Sequence, residues 1–230
     1  MSKRLQEDVL FVNVDGMYDY YHNRRFSNDR LELVKKEKEK LINNKCRVLL
    51  LNPTDESDIK IPVFPLSLSQ ISFDLNHPQG ELDYSIFLLK YLYDFIKNEH
   101  FTHVIIFQYD GYVINFDSWD DAFLKYDFMG NLEDDKTSII NKNNFFSLNN
   151  EKYGRHFNGG FSLRSRELIE KCKDIDIKKF YKMFKQYNND NEDLILLDYI
   201  NWEKMPKNIE IINKFVGDTI DSKSFGFHKK

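Results

Sequence analysis

The chain of 230 residues is long enough for one large domain or two small ones. Its formal charge of −4 and isoelectric point near 5.9 count against a nucleic-acid partner, because binding to phosphates requires a surplus of lysine and arginine on one face. The sequence contains no segment whose composition marks an interdomain linker. We therefore predict a single domain over residues 1–230.

The positions of the cysteines and apolar residues exclude further classes of protein. Cys46 and Cys172 are far apart and form no CxxC pair, which argues against a zinc ribbon and against a disulfide framework. No apolar run approaches the ~20 residues that a membrane-spanning helix needs, and the first residues do not resemble a signal peptide. We expect a cytoplasmic protein without a transmembrane segment, and leave open both peripheral membrane contact and the oligomeric state.

The first half of the chain alternates between predicted strands and predicted helices. Continuous apolar runs predict strands at Val9–Val14, Cys46–Leu51 and Val104–Phe107. Helices are predicted at Asp29–Leu41 and at Tyr84–Ile96, and the second of these has only a narrow polar edge. Strands that are apolar throughout are typical of a parallel sheet covered on both faces. The predicted fold class is α/β, with a mixed, mainly parallel central sheet flanked by helices.

Weaker patterns characterise the second half of the chain. Trp119–Tyr126 is a short amphipathic segment, and residues 131–152, rich in asparagine, lysine and aspartate, are predicted to form a flexible loop. The pair Gly159-Gly160 precedes a short extended segment, after which Arg166–Cys172 is predicted to be helical. A polar turn then leads through Glu192-Asp193 into another apolar helix.

Asp110 and Gly111 interrupt the apolar segment HVIIFQYDGYVIN at 103–115. Ligands of open α/β sheets bind beyond the carboxyl ends of the strands, where Asp15-Gly16 and Asn52-Pro53 are also predicted to lie. Asp110 is therefore a candidate ligand for Mg²⁺ or Mn²⁺, since such cations prefer carboxylate oxygens and often bridge substrate phosphates. The alternative interpretation is a turn aspartate that precedes a glycine.

Three other segments each have a structural and a functional interpretation. Gly159-Gly160 permits the close approach of a ligand or simply forms a turn, and it lacks the GxGxxG spacing of a dinucleotide site. Glu192-Asp193 either stabilises the start of a helix or supplies a general base. His228 is either inert or a metal ligand on a C-terminal segment that docks on the body of the protein.

Four further blocks of sequence lie between residues 108 and 228. They are QYDGYVINFDSWDDAFLKYDFMG at 108–130, FNGGFSLRSRELIEKC at 157–172, the acidic pair at 192–193 and FGFH at 225–228. In this order they resemble the blocks of a family that is similar to the GT-A-type glycosyltransferases. The first hundred residues agree with that family only in their order of strands and helices.

This resemblance implies a GT-A-like, Rossmann-like fold that binds a nucleotide-sugar, with a UDP-sugar as the expected donor and Mn²⁺ or Mg²⁺ as the metal. In GT-A enzymes an Asp-x-Asp motif ends a central strand and binds the metal that holds the donor diphosphate. Gln108 stands at the position of the first aspartate and Asp110 at that of the second, and the implied metal ligands are Asp110 and His228. The implied donor-binding residues are Asp110, Gln108, Val12, Asn13, Gly159, Gly160 and Arg164.

The implied reaction moves a sugar from the nucleotide-sugar to a hydroxyl group of a glycan, polysaccharide or other acceptor. The resemblance implies Asp193 or Glu192 as the base that removes the proton from this hydroxyl. A single base favours inversion of the anomeric centre, and retention stays open. The first rival interpretation is a catalytically silent nucleotide-sugar or carbohydrate-binding protein on the same fold. The second is a metal-dependent phosphohydrolase or nucleotidyltransferase.

Overall fold

The structure is a computed structural model that describes most of the chain. The described residues are 1–14, 28–52, 58–60, 84–135, 154–176, 202–217, 219–220 and 223–228, with Asp193, Leu196 and Ile200. The predictions for Asp15-Gly16, Pro53 and Glu192 concern residues outside this set.

Nine strands in the described residues form two sheets. In chain order they are β1 (Val9–Asn13), β2 (Arg47–Asn52), β3 (Ile59–Lys60), β4 (His103–Phe107), β5 (Gly111–Val113), β6 (Phe128–Asp135), β7 (Gly154–Ser165), β8 (Val216–Gly217) and β9 (Gly226–His228). The main sheet has the order β3-β2-β1-β4-β7-β6, and the small sheet has the order β5-β9-β8. Pairing in the main sheet is parallel from β3 to β4 and antiparallel on both sides of β7. The predicted mixed, mainly parallel α/β sheet is confirmed.

The α-helices span Lys3–Asp8, Asn28–Asn43, Leu92–Ile96, Arg166–Cys172 and Ile209–Phe215. A side chain binds a free N–H group in the first turn of the first, fourth and fifth of these helices. A π-helical segment, Phe87–Tyr91, leads directly into the Leu92–Ile96 helix. Ser165 Oγ accepts a hydrogen bond from Leu168 N (3.1 Å), and Asn208 Oδ1 accepts one from Glu210 N (2.8 Å). Among the described residues, no helix combines the length and apolar character that crossing a membrane requires.

The main sheet is covered on both faces, which explains its continuous apolar strands. On one face, Phe11, Ile105 and Phe161 form a core cluster with Val34 of the Asn28–Asn43 helix and Phe215. The other face presents Leu10, Val12, Val104 and Ile106 to Phe87, Leu88 and Leu92. Because successive residues of β1 and β4 point into opposite cores, none of their positions can be polar without a specific partner.

The part of the predicted flexible loop that lies at residues 131–135 is wrong. These residues continue β6, whereas 136–152 lie outside the described residues. In the described sheet β6 pairs with β7 alone, and an edge strand can carry polar residues that hide its periodicity. β7 is also longer than predicted. Gly159-Gly160 lies within the strand, whereas the sequence predicted that this pair precedes it.

The small sheet is held to the main body by a charged pair on the Asn28–Asn43 helix. Glu37 Oε1 accepts a hydrogen bond from Val113 N (2.9 Å), and Lys40 Nζ donates one to the Val113 carbonyl while it pairs with Glu37. Burial raises the pKa of Glu37. The helix thus binds both backbone groups of a residue in β5, and this fixes the strand that follows Asp110.

His103, the first residue of β4, has a buried ring with 7% of its surface exposed. Its Nε2 lies 3.1 Å from the Tyr126 carbonyl, to which only a protonated nitrogen can donate, and its Nδ1 lies 3.0 Å from the Thr102 hydroxyl. Burial lowers the pKa of His103 from 6.5 to about 4. Because the unfolded chain takes up this proton more readily, the stabilisation is complete above pH 6.5 and is lost as the pH falls towards 4.

We therefore expect His103→Gln to reduce the pH dependence of folding stability. The free energy of unfolding is measured in urea at about pH 7 and at about pH 4.5. The decrease between the two pH values should be about 2 kcal/mol smaller in His103→Gln than in the wild type. His100→Gln is the control, because His100 is exposed on the preceding turn, and it should keep the wild-type dependence. Equal pH dependence in the wild type and His103→Gln would show that the burial of this ring does not govern the acid response.

Candidate functional site

The candidate site lies at the carboxyl end of β4, where β1 also ends. Asn13 is buried, and its Nδ2 donates a hydrogen bond to the Phe107 carbonyl (2.8 Å), which ties the ends of the two strands together. The chain then leaves β4 through Gln108 and Asp110. Val12 has no exposed surface and packs in the core behind this end. Contact of Val12 and Asn13 with a donor stays a prediction.

β9 brings His228 to Asp110. Gly111 and His228 are directly paired in the antiparallel ladder of β5 and β9, and His228 Nε2 lies 3.8 Å from Asp110 Oδ1. His228 is buried, whereas the Asp110 side chain is 25% exposed. In the described part of the chain, the buried Oδ1 of Asp110 has no hydrogen-bond partner. A carboxylate and an imidazole that are far apart in sequence therefore face each other at this strand end.

Gly160 lets these side chains lie directly against the backbone of β7. A methyl group on Gly160 would collide with His228 Nε2 and would lie 2.6 Å from Gln108 Oε1. Gly111 is similarly restricted, since a methyl group there would lie 2.9 Å from His228 Cδ2. Gln108 Oε1 and His228 Nε2 thus both lie against Gly160. The Asp110 carboxylate lies beside His228 Nε2.

Asp193, from a separate part of the chain, binds the backbone of β7 next to Gly160. It is 5% exposed, and its Oδ2 accepts a hydrogen bond from Gly159 N (3.2 Å). The next amide, Gly160 N, donates to Asn158 Oδ1 (2.8 Å). The predicted base and the predicted metal ligand His228 therefore contact consecutive residues of β7.

The two glycines lie within a bulge of β7. Met129 pairs with Leu163 and Asn131 with Asn158, so residues 159–162 lie opposite Gly130 alone. The same stretch remains paired with β4 at positions 161 and 162. Inside the bulge, Ser162 Oγ donates a hydrogen bond to the Gly159 carbonyl (2.8 Å). Bulges of this kind often redirect backbone and side-chain groups next to active sites.

Arg164 makes no observed contact with Asp110, His228 or Asp193 among the described residues. It is 1% exposed, its Nε donates to Ser162 Oγ (3.1 Å), and its guanidinium lies 5.6 Å from the ring centre of Phe128. Arg164 lies four positions after Gly160 in β7, and at the spacing of an extended strand the two backbones are at most about 13 Å apart. Its contact with a donor diphosphate stays a prediction, and its observed contacts lead to the bulge through Ser162.

Sequence reasoning missed Asn131. This residue pairs with Asn158 across β6 and β7 and is buried, and its Nδ2 has no hydrogen-bond acceptor among the residues that the structure describes. Because residues paired in this way point to the same face of the sheet, it is a further polar group beside the bulge. The sequence contains a signal, because Asn131 lies between the apolar residues Met129 and Leu132. The flexible loop predicted for residues 131–152 includes Asn131, and this concealed the signal.

An open cavity of about 480 Å³ lies at the opposite edge of the sheet, where β4 begins and β7 ends. Its lining includes His103, Asp127, Glu167 and Lys204, and none of the predicted site residues. Lys204 pairs with two carboxylates of this lining, because its Nζ lies 2.6 Å from Glu167 Oε2 and 3.7 Å from Asp127 Oδ1. The cavity is therefore a less suitable centre for chemistry than the end of β4.

Neither cysteine supplies a nucleophile. Cys46 and Cys172 are free and buried, and burial raises the pKa of each thiol to about 12. A thiol with so high a pKa stays protonated near neutral pH, and the thiolate is the reactive form.

Comparison with known proteins covers the part of the chain that contains the site. A family profile described as "Protein of unknown function (DUF5672)" matches residues 68–228, which is more than half of the chain. The chain belongs to the DUF5672 family. The DUF5672 region includes Gln108, Asp110, Gly160, Asp193 and His228, whereas β1 precedes it. No curated protein and no solved structure gives a significant match.

Proposed function

We propose that this DUF5672 protein is a metal-dependent glycosyltransferase of GT-A-like fold. It moves a sugar from a nucleotide-sugar donor, a UDP-sugar, to a hydroxyl group of a glycan or another acceptor. The observation that carries the proposal is the 3.8 Å distance between Asp110 Oδ1 and His228 Nε2 at the carboxyl end of β4. Asp193 supports it through its hydrogen bond to Gly159, the residue before Gly160. This is the edge at which α/β sheets bind their ligands.

Asp110 and His228 are close enough to bind one divalent cation together. Two ligand atoms that each approach Mg²⁺ to about 2.1 Å can be up to about 4.2 Å apart, and Asp110 Oδ1 and His228 Nε2 are 3.8 Å apart. Gln108 Oε1 would be a third ligand. Among the described residues no group of three or more His, Cys, Asp or Glu side chains could hold a metal, so the donor diphosphate would complete the shell. When bound, the cation would supply positive charge that stabilises the leaving diphosphate.

Asp193 acts as the base in this proposal. Its Oδ2 accepts the Gly159 N–H, and a carboxylate oriented through one oxygen can take up a proton at the other. The acceptor oxygen forms a bond to the anomeric carbon while its proton passes to the carboxylate. The bond from the anomeric carbon to the diphosphate breaks, and the nucleoside diphosphate leaves with the electron pair. Glu192 is the alternative base, and attack assisted by one base inverts the anomeric centre.

The test is a release assay with a panel of nucleotide-sugars, Mn²⁺ and a mixture of sugar acceptors. Release of UDP that requires both Mn²⁺ and an acceptor, and that stops with EDTA, is the expected result. Because Gln108 replaces a carboxylate, a silent nucleotide-sugar-binding protein is the second candidate, and binding of the donors without turnover of any of them would favour it. Release of inorganic phosphate would instead identify a phosphohydrolase.

A further inference from the structure

Arg164 and Ser162 form a buried hydrogen-bond chain whose direction is set by their chemistry. Arg164 Nε donates to Ser162 Oγ (3.1 Å), and Ser162 Oγ donates to the Gly159 carbonyl (2.8 Å). A guanidinium has donors and no acceptor. The Ser162 oxygen must therefore accept from Arg164, which leaves the hydroxyl proton directed at Gly159.

Gly159 connects this chain to the candidate site. Its carbonyl is held by Ser162, and its N–H donates to Asp193 Oδ2. Glycine has wide conformational freedom, and the bulge at 159–162 is not paired with β6. The Ser162 hydroxyl therefore provides a restraint on Gly159 that regular strand pairing with β6 would otherwise provide.

We propose that Arg164 is a positioning residue, which acts through Ser162 to orient Gly159 and thereby the Asp193 carboxylate. A hydrogen bond from a charged donor is stronger than one between neutral groups, and it is strengthened further in buried surroundings. This role differs from contact with a diphosphate. The inference rests on the proposed function only where Asp193 is the base, because the hydrogen-bond chain itself can be tested without turnover.

The experiment measures amide hydrogen exchange by NMR in the ligand-free protein. Ser162→Ala and Arg164→Met should each accelerate exchange of the Gly159 amide by about 10-fold or more, since its peptide group gains freedom to open locally. The Ile105 amide in β4 should exchange at the wild-type rate. Arg164→Lys retains a donor and should give an intermediate rate. The double variant should exchange no faster than the faster single variant, because both changes break one chain.

Ser224→Ala is the matched control. It removes a buried hydroxyl that also donates to a carbonyl, that of Asn213 (2.8 Å), but outside the site, and it should leave Gly159 exchange unchanged. Unchanged Gly159 exchange in Ser162→Ala, or multiplied effects in the double variant, would overturn the inference. If Arg164→Met does not fold, Ser162→Ala and Arg164→Lys decide: acceleration in the first with an intermediate rate in the second supports the chain, and any other pattern contradicts it.

Turnover supplies a second readout that separates this inference from the proposed function. Ser162→Ala should lower kcat and leave the KM for the donor unchanged, because the base loses its orientation while the donor contacts remain. A wild-type protein that transfers no sugar would refute the proposed function and leave the exchange result as it stands. An active protein in which Ser162→Ala keeps the wild-type kcat would refute the positioning of Asp193.

Discussion

Asp110→Asn is expected to weaken Mn²⁺-dependent binding of UDP by at least about 100-fold, equivalent to about 2.8 kcal/mol. Asparagine keeps the size of the side chain and removes its charge, and a hard divalent cation is bound far better by a carboxylate than by an amide oxygen. Titration calorimetry with UDP, in Mn²⁺ and in EDTA, measures the effect. In EDTA the variant and the wild type should bind UDP with equal, weak affinity.

Asp117→Asn is the control for this substitution. Asp117 follows Asp110 closely in the chain, and its side chain is 91% exposed, so its loss should leave the Mn²⁺-dependent affinity unchanged. Thermal unfolding of both variants checks that each is folded. If Asp110→Asn binds UDP in Mn²⁺ with the wild-type affinity, Asp110 is not a metal ligand. The proposed function then loses its main support.

Asp193→Asn is expected to lower kcat by about 10²- to 10⁴-fold, the usual contribution of a general base, and to leave UDP binding intact. The asparagine oxygen can still accept the Gly159 N–H that Asp193 Oδ2 accepts in the wild type, so the local structure should persist. Asparagine cannot take up a proton from the acceptor hydroxyl. Initial rates of sugar transfer, together with the dissociation constant of UDP, distinguish loss of chemistry from loss of binding.

Glu192→Gln and Glu39→Gln complete this experiment. Glu39 is exposed on the Asn28–Asn43 helix, and its replacement should not change the rate. An inactive Glu192→Gln beside an active Asp193→Asn would assign the base to Glu192. Full activity of both variants would show that the base lies outside the acidic pair.

The main sheet could be predicted because both of its faces are covered. Every position of β1 is buried, and so is every position of β4, which gives the continuous apolar runs that the sequence displays. β6 could not be recognised in the same way, because it is paired with β7 alone and carries polar residues after Gly130. The small sheet escaped prediction because its strands have only two or three residues, too few to show a periodicity.

The candidate site could be predicted only in part. The end of β4 indicated Asp110 on general grounds, since ligands bind at the carboxyl ends of strands. The family resemblance alone brought His228 together with Asp110, because no spacing in the sequence reveals the pairing of β5 with the distant β9. The burial of Arg164 was equally unpredictable, since arginine is rarely buried without a partner. Its contact with Ser162 follows from their positions at i and i+2 in a strand, which put both side chains on one face.

The pairing of Gly111 with His228 also has a consequence for how the chain folds. This pairing closes the long stretch of chain between Gly111 and His228 into a loop. Loop closure costs conformational entropy before the new contacts offset that cost, and pairings between residues far apart in sequence therefore form slowly. β9 is therefore expected to dock late, after the local contacts of the main sheet have formed. A ligand that touches both Asp110 and His228 acts as a reversible cross-link across this loop, and it stabilises the folded chain in proportion to the logarithm of its concentration once the site is nearly saturated. If a ligand binds at this end of the sheet as proposed, its binding is thermodynamically coupled to the final step of folding.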